Sequence, residues 1–539
     1  MLATLVTAVI SGLRGELVRV EVDVAPGLPV CHIVGLPDAA LSEARERVRG
    51  AIRNSGFEYP LSRITVNLAP ADQRKRGAAY DLAIAVGILV ASGQIRTSGG
   101  AWALLGELSL GGAVRPVPGV LPMVATLARA GYGRVVVPAA NVAEARLVTG
   151  VEAAGVDGLD DAARLVAGPR GRRAAQAERR PDLAVSGAGK TRTAAMNGSD
   201  TRAAPSAAAS RGLPDLGAAS DRVDLSDIRG QAHARWALEV ALAGSHNLLL
   251  VGPPGAGKTL LARSIPGLLP PLDDEEALEV TVIESVSGRL MRSGLRRDRP
   301  FRAPHHTASY AALVGGGPHL SPGEVTQAHR GVLFLDELAE FDRNVLDALR
   351  QPLEDGSVEL ARARGSIRYP ARLQLVAAMN PCRCGWHGDL QRACRCGDGE
   401  ADRYVRRVSG PLMDRLDLRV EMPRVSPSDL VGAVHGESSA VVAKRIAEAR
   451  ARALRRDLHR PNAHLPGAAV VSACRLARSQ EGLMRDLASA GGMTARGVHR
   501  VLRVARTIAD LGEREGVADE DLLAAAGLRD PAALPSLAA

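Results

Sequence analysis

One eight-residue stretch limits this chain more than any other. Gly252-Pro253-Pro254-Gly255-Ala256-Gly257-Lys258-Thr259 fits G-x-x-x-x-G-K-[ST] at every position. The four residues before it, Leu248-Leu249-Leu250-Val251, read as a short buried strand, and a helix is expected to follow. Strand, glycine-rich turn and helix in that order make a cradle for phosphate. The glycines let backbone N–H groups curl inward, Lys258 brings a positive charge to the β- and γ-phosphates, and the Thr259 hydroxyl can ligate Mg²⁺. The positive end of the helix faces the same phosphates. The chain is therefore expected to bind ATP through these eight residues.

A second pattern completes such a site. Val332-Leu333-Phe334-Leu335 is an apolar run ending in Asp336-Glu337, as a central strand of a parallel sheet would be. Asp336 is expected to hold Mg²⁺ through water and Glu337 to polarise the attacking water. Leu373 to Met379 is a third apolar run, closed by Asn380. That amide is placed to orient the water between the γ-phosphate and Glu337, although a strand-end Asn is also a common turn former.

At 539 residues the chain is too long for one core. Residues 1–167 read as an α/β domain. Leu17 to Val24 alternates like a half-buried strand, with further strands at 30–34, 63–68 and 134–138 and helices over 38–54 and 81–92. Residues 168–222 contain ten Lys or Arg, five Asp or Glu and no aromatic residue. They cannot bury enough apolar surface to offset their ordering entropy and read as a disordered linker. This segment carries +5 of the formal net charge of +9, so the remainder is only mildly basic. Residues 223–425 alternate strands and helices as a parallel sheet does. Residues 426–539 read as a helical lid, with helices over 439–456 and 495–511.

Aromatic content of 2% argues against a base-stacking platform built from several aromatics. No apolar run reaches the eighteen or so residues of a membrane span, and the apolar N-terminus lacks the basic start of an export signal. Cys382, Cys384, Cys394 and Cys396 form two C-x-C pairs within an insert at 382–396. Their spacing suits a tetrahedral structural Zn²⁺ site, with four reduced, unligated thiols as the alternative. The two remaining cysteines, Cys31 and Cys474, stand apart. This cysteine usage points to the cytoplasm.

Several longer runs are distinctive. Phe301-Arg302-Ala303-Pro304-His305-His306-Thr307-Ala308-Ser309, Gly315-Gly316-Gly317, Leu335-Asp336-Glu337-Leu338 and Gly410 to Leu418 follow one another in order. In this the chain resembles the ComM/YifB family of magnesium-chelatase-like AAA+ ATPases, over its whole length except the linker. The resemblance implies an AAA+ P-loop core with a helical lid, forming a homo-oligomeric ring, usually a hexamer, with nucleotide between subunits. It also implies a partner, DNA, because ComM acts as a branch-migration helicase in natural transformation. By the same resemblance Arg415, in Asp414-Arg415-Leu416-Asp417, is the arginine finger, with Arg406 and Arg407 as competitors. Arg496, in Thr494-Ala495-Arg496, is the second sensor arginine, reaching phosphate from the lid. The segment 301–320 resembles the family's helix-2 insert, and 357–371 reads as a hairpin turning at Arg364-Gly365. His305, His306, Arg362, Arg364 and Arg368 could grip a phosphate backbone, or else pack locally and face solvent.

Residues 60–140 resemble a second family, the Lon-type proteolytic domain (a ribosomal S5 domain 2-like α/β fold), most clearly through Leu105 to Pro116. Hydrolysis there would need a Ser–Lys dyad. The matching positions are Ala79 and Met123, so this domain is expected to be proteolytically inert. Four readings follow from the residues and the resemblance together: an ATP-driven DNA motor, the motor subunit of a metal chelatase, an ATP-dependent protease, and a protein remodeller. The missing dyad argues against the protease.

Overall fold

The computed structural model describes residues 1–34, 39–70, 78–97, 101–177, 223–290, 294–317, 320–362, 365–389, 391–426, 436–456 and 460–529. The chain divides into two compact units, Met1–Gly212 with Ser285–Gly294, and Leu213–Glu284 with Leu295–Ala539. Most of the 168–222 linker lies outside the described residues.

The first unit is built on a seven-stranded mixed sheet. Its strand order is Val30–Val34, Arg63–Ala69, Arg14–Ala25, Leu2–Ser11, Trp102–Leu104, Arg134–Pro138 and Glu152–Val156. Leu2–Ser11 pairs antiparallel with Arg14–Ala25, from Leu2 opposite Asp23 to Ser11 opposite Arg14. Side chains alternate across a strand, so Leu2–Ser11 feeds two cores: Leu5 and Val9 enter one, Val6 and Ala8 the other.

Helix Asp81–Ala91 is apolar on every face and buried at every position but Val90. Asp81 opens it deep in the core. Arg47 donates to its two carboxylate oxygens at 2.7 and 3.2 Å, and Leu108 N–H donates at 3.3 Å. Burial still pushes its pKa up to about 6. The last helix of this unit, Leu159–Ala177, breaks at Gly168 (φ 63°) and continues past it. Helical backbone therefore extends ten residues beyond the domain boundary expected from composition.

The second unit carries a five-stranded, all-parallel sheet in the order Phe301–Arg302, Val332–Leu335, Gln374–Met379, Leu248–Val251, Leu418–Glu421. The central strands are covered on both faces and buried almost throughout, which is why they read as apolar runs. Among the described residues the α-helices that follow are Ser439–Arg456, Gly467–Cys474, Arg478–Ala490, Ala495–Leu511 and Asp519–Arg529. They do not form a separate body. Leu502, Val504 and Leu522 share one apolar core with Leu248, Val376 and Leu418. Among the described residues no helix is long and apolar enough to cross a membrane.

Phe301–Arg302 is the edge strand of this sheet, not the start of an inserted loop as the sequence suggested. Arg302 is buried and donates to both carboxylate oxygens of Glu324 at 2.6 and 2.8 Å. The expected hairpin is present, Ser357–Arg362 pairing with Gly365–Pro370. Its tip, Arg364, lies outside the described residues, and Arg368 is bound locally to Ser357 Oγ at 2.9 Å.

Candidate nucleotide site

The site lies where three adjacent parallel strands end. Leu335 pairs with Ala377, and Val251 pairs with Met379, so Asp336, the phosphate loop and Asn380 leave the sheet at one edge. In an open α/β sheet the carboxyl edge is where ligands bind.

The loop runs from Val251 into helix Lys258–Arg263. Gly255 and Gly257 have φ of 80° and 90°, a backbone region that side chains disfavour. A β-carbon on either would meet nothing within 4 Å. Both positions therefore face open space with no side chain of their own, which fits a phosphate cradle. Gly252 is needed for a different reason, since a β-carbon there would lie 2.2 Å from Met422 O.

Lys258 is only 8% exposed. Its ammonium donates to Gly252 O at 2.6 Å, Pro253 O at 3.0 Å and Asn380 Oδ1 at 3.1 Å. Burial lowers its pKa, against the opposing pull of Asp336 and Glu337. Thr259 Oγ1 donates to Asp336 Oδ2 at 2.6 Å. The hydroxyl and carboxylate expected to share Mg²⁺ are thus already side by side, a donor set of the oxygen type that ion prefers.

Glu337 has left-handed backbone (φ 53°) and is 54% exposed. Its Oε2 lies 3.0 Å from Nδ1 of His306. The sequence groups His306 with possible phosphate-backbone contacts, but here it engages the carboxylate expected to polarise the attacking water. His305 instead bonds Thr307 Oγ1 at 2.9 Å. Gln231 is a residue the sequence reading missed. Its side-chain N–H groups donate to Ala256 O in the phosphate loop at 3.1 Å and to Pro423 O at 2.5 Å.

The two arginines expected at phosphate are near enough for the charge of Arg496 to act on Arg415. Arg415 pairs with Glu354 and donates to Pro411 O at 3.1 Å. Its pKa is lowered by burial first and then by Arg500, Arg496 and Arg350. Arg496 is exposed. Among the described residues no hydrogen bond or ion pair joins Arg415 or Arg496 to the phosphate loop of the same chain.

The cysteine insert follows Asn380 directly. Cys382 Sγ is 3.4 Å from Cys384 Sγ and 3.7 Å from Cys394 Sγ, and the latter two are 3.5 Å apart. All four sulfurs lie within 4.8 Å of one another. A tetrahedral ion with Zn–S bonds near 2.3 Å needs sulfurs about 3.8 Å apart, so the spacing fits. The Arg395 N–H bond, supported by that of Trp386, lowers the Cys384 thiol, while burial and the neighbouring thiols raise Cys394 and Cys396, so without an ion the cluster favours one thiolate.

A parallel sheet in this strand order, with a phosphate loop after its fourth strand in that order and an acidic pair after its second, defines an ATPase of the AAA+ class. Comparison with known proteins narrows this. The family described as magnesium chelatase, subunit ChlI, matches residues 224–430; its C-terminal counterpart matches 436–529; and the family described as subunit ChlI of Mg-chelatase matches 20–141. A protein of Mycobacterium tuberculosis is 44% identical over 97% of this chain and 98% of its own. YifB of Escherichia coli is 41% identical over 96% and 95%. Competence protein ComM of Haemophilus influenzae is 39% identical over 96% and 95%. The chain belongs to the ComM/YifB family of magnesium-chelatase-like AAA+ ATPases.

Proposed function

We propose that this protein forms a homo-oligomeric ring, a hexamer, that couples ATP hydrolysis to DNA remodelling, with branch migration during recombination or DNA uptake as the activity. The observation that carries the ATPase half is the convergence of Lys258, Thr259, Asp336 and Asn380, with Glu337 beside them. The DNA half is supported by full-length similarity to a protein named for competence.

Mg·ATP supplies a phosphoanhydride whose γ-phosphoryl is open to in-line attack by water. The chain's own groups would act around it as follows. Lys258 exchanges loop carbonyls for anionic oxygens, which are stronger acceptors. Thr259 and Asp336 hold the cation. Asn380, fixed by Lys258, orients a water that Glu337 polarises. Arg415 would leave Glu354 to reach the neighbouring subunit's site, and Arg496 would reach phosphate from the lid. Zn²⁺ would occupy the four thiols of 382–396 and leave no open position for chemistry. The N-terminal domain is read as Lon-like and inert. In support, Ala79 packs against the apolar cluster that contains Met123, where a Ser–Lys dyad would have to sit.

The test is an ATPase assay with and without forked DNA. Glu337→Gln should retain nucleotide binding and lose turnover by about a hundredfold or more. Forked DNA should stimulate the wild type, and the stimulation should fall with salt. Neither stimulation nor retention on DNA at low salt would remove the DNA half. The ChlI family matches favour a second reading, the motor of a metal-chelatase complex, which would show ATP-dependent Mg²⁺ insertion into a porphyrin once partner subunits are added.

A further inference from the structure

The cysteine insert and the phosphate loop share an origin in the fold. Val251 and Met379 are partners in adjacent parallel strands, so the segments that follow them emerge side by side. Gly252 N–H donates to Met379 O at 3.2 Å, extending the pairing one residue into the loop. Beyond Met379 the chain passes Asn380, which accepts from Lys258, and enters the insert at the buried Cys382.

Three residues on, the insert touches the phosphate loop itself. Gly385 has φ 84°, and a β-carbon built on it would lie 2.5 Å from Cδ and 2.8 Å from Cγ of Pro254. No side chain fits between them. The same turn is held from the other side. Trp386 lies between the guanidinium groups of Arg392 and Arg424, each 4.4 Å from its ring, and Arg424 pairs with Asp389 at 3.4 Å. Arg424 closely follows the strand Leu418–Glu421, which flanks the phosphate-loop strand. The turn between Cys384 and Cys394 is thus wedged against the wall of the nucleotide site, and four thiols set its shape.

We propose that the four-cysteine insert is a metal-dependent brace of the nucleotide site: Zn²⁺ on Cys382, Cys384, Cys394 and Cys396 seats Gly385 against Pro254 and holds Asn380 on Lys258, so that metal loading sets the affinity for ATP. This rests on the zinc and nucleotide readings above and adds the coupling between them. Without the metal the two C-x-C pairs are joined by weak thiol contacts and the Arg395 N–H bond to Cys384 Sγ, and the turn loses its strongest tie.

The experiment uses the full-length protein under reducing conditions. It measures zinc per chain by elemental analysis, and the affinity for a fluorescent, slowly hydrolysed ATP analogue by anisotropy. The expected result is one zinc per chain, with nucleotide binding weakened about tenfold after chelation and recovered with Zn²⁺ but not with additional Mg²⁺. Cobalt should replace zinc with the visible spectrum of a tetrahedral thiolate site. Two glycine variants separate the brace from general damage. Gly385→Ala should keep its zinc yet bind nucleotide about tenfold more weakly. Gly388→Ala imposes the same kind of backbone strain (φ 77°) with nothing within 4 Å of the added carbon, and should bind as the wild type does. If chelation unfolds the protein, this pair of variants decides.

Protein that takes up neither zinc nor cobalt overturns the metal site and the brace with it. Zinc-loaded protein whose affinity is unmoved by Gly385→Ala overturns the coupling and leaves the zinc site standing. Failure of the zinc-loaded wild type to bind the analogue overturns the nucleotide reading itself.

Discussion

Glu337 holds its partner through the fold rather than through sequence neighbours. Phe301–Arg302 pairs with Val332–Leu333, so residues four beyond each pair, His306 and Glu337, emerge together at the same edge. The 3.0 Å contact occupies one oxygen of the expected general base. His306→Ala should therefore alter turnover with little change in nucleotide affinity. A rise of a few fold in DNA-free ATPase is expected, and an unchanged rate with weakened binding would place His306 in binding instead. Glycine spacing and the acidic pair marked the phosphate loop and Asp336-Glu337 in the sequence, because those roles need particular residue types at fixed offsets. His306, Gln231 and Gly385 were not legible as parts of this site, since strand pairing and loop packing, not spacing, bring them to it.

Among the elements, legibility followed apolar content. Leu248–Val251 and Val332–Leu335 were found at their observed ends, and so were helices Ser439–Arg456 and Ala495–Leu511. Each has a strong run or period. Phe301–Arg302 was lost inside an insert because two residues carry no periodicity, and Glu152–Val156 because Ala and Gly give no strand signal. One contact between elements that bears on acid stability is that of His246. It sits just ahead of the phosphate-loop strand, fully buried, with Nε2 2.8 Å from Thr507 Oγ1 in helix Ala495–Leu511. Burial pushes its pKa down to about 3 from an ordinary 6.5. Between those values the unfolded chain binds a proton that the folded chain does not. The contribution of neutral His246 is thus fully present above pH 6.5 and is lost as pH falls towards 3. His246→Gln, which can keep a bond to Thr507, should flatten the pH dependence of unfolding in that window, as denaturant titrations at pH 7 and 4.5 would show.

At the scale of the whole molecule, Arg415 has no hydrogen bond or ion pair with the phosphate loop of its own chain among the described residues, which accords with the proposed shared site between ring neighbours. Arg415→Ala and Glu337→Gln should each abolish turnover alone. Mixed in equal amounts before assembly, they should recover activity from about one interface in four, since each intact site takes Glu337 from one variant and Arg415 from the other. Size-exclusion chromatography must show both variants assembling normally, and no recovery would place Arg415 outside the shared site.

The lid helices are fused to the sheet through one apolar core. Prising them apart would expose Val501, Leu502, Val504 and Leu522 among others, at a cost on the order of 10 kcal/mol, comparable to the whole stability of a domain. Among the described residues, sheet and lid are thus packed as one piece. In the proposed ring, strain generated at the phosphates would pass through sheet and lid of the second unit as one piece, and the stroke of such an engine would be measured between protomers.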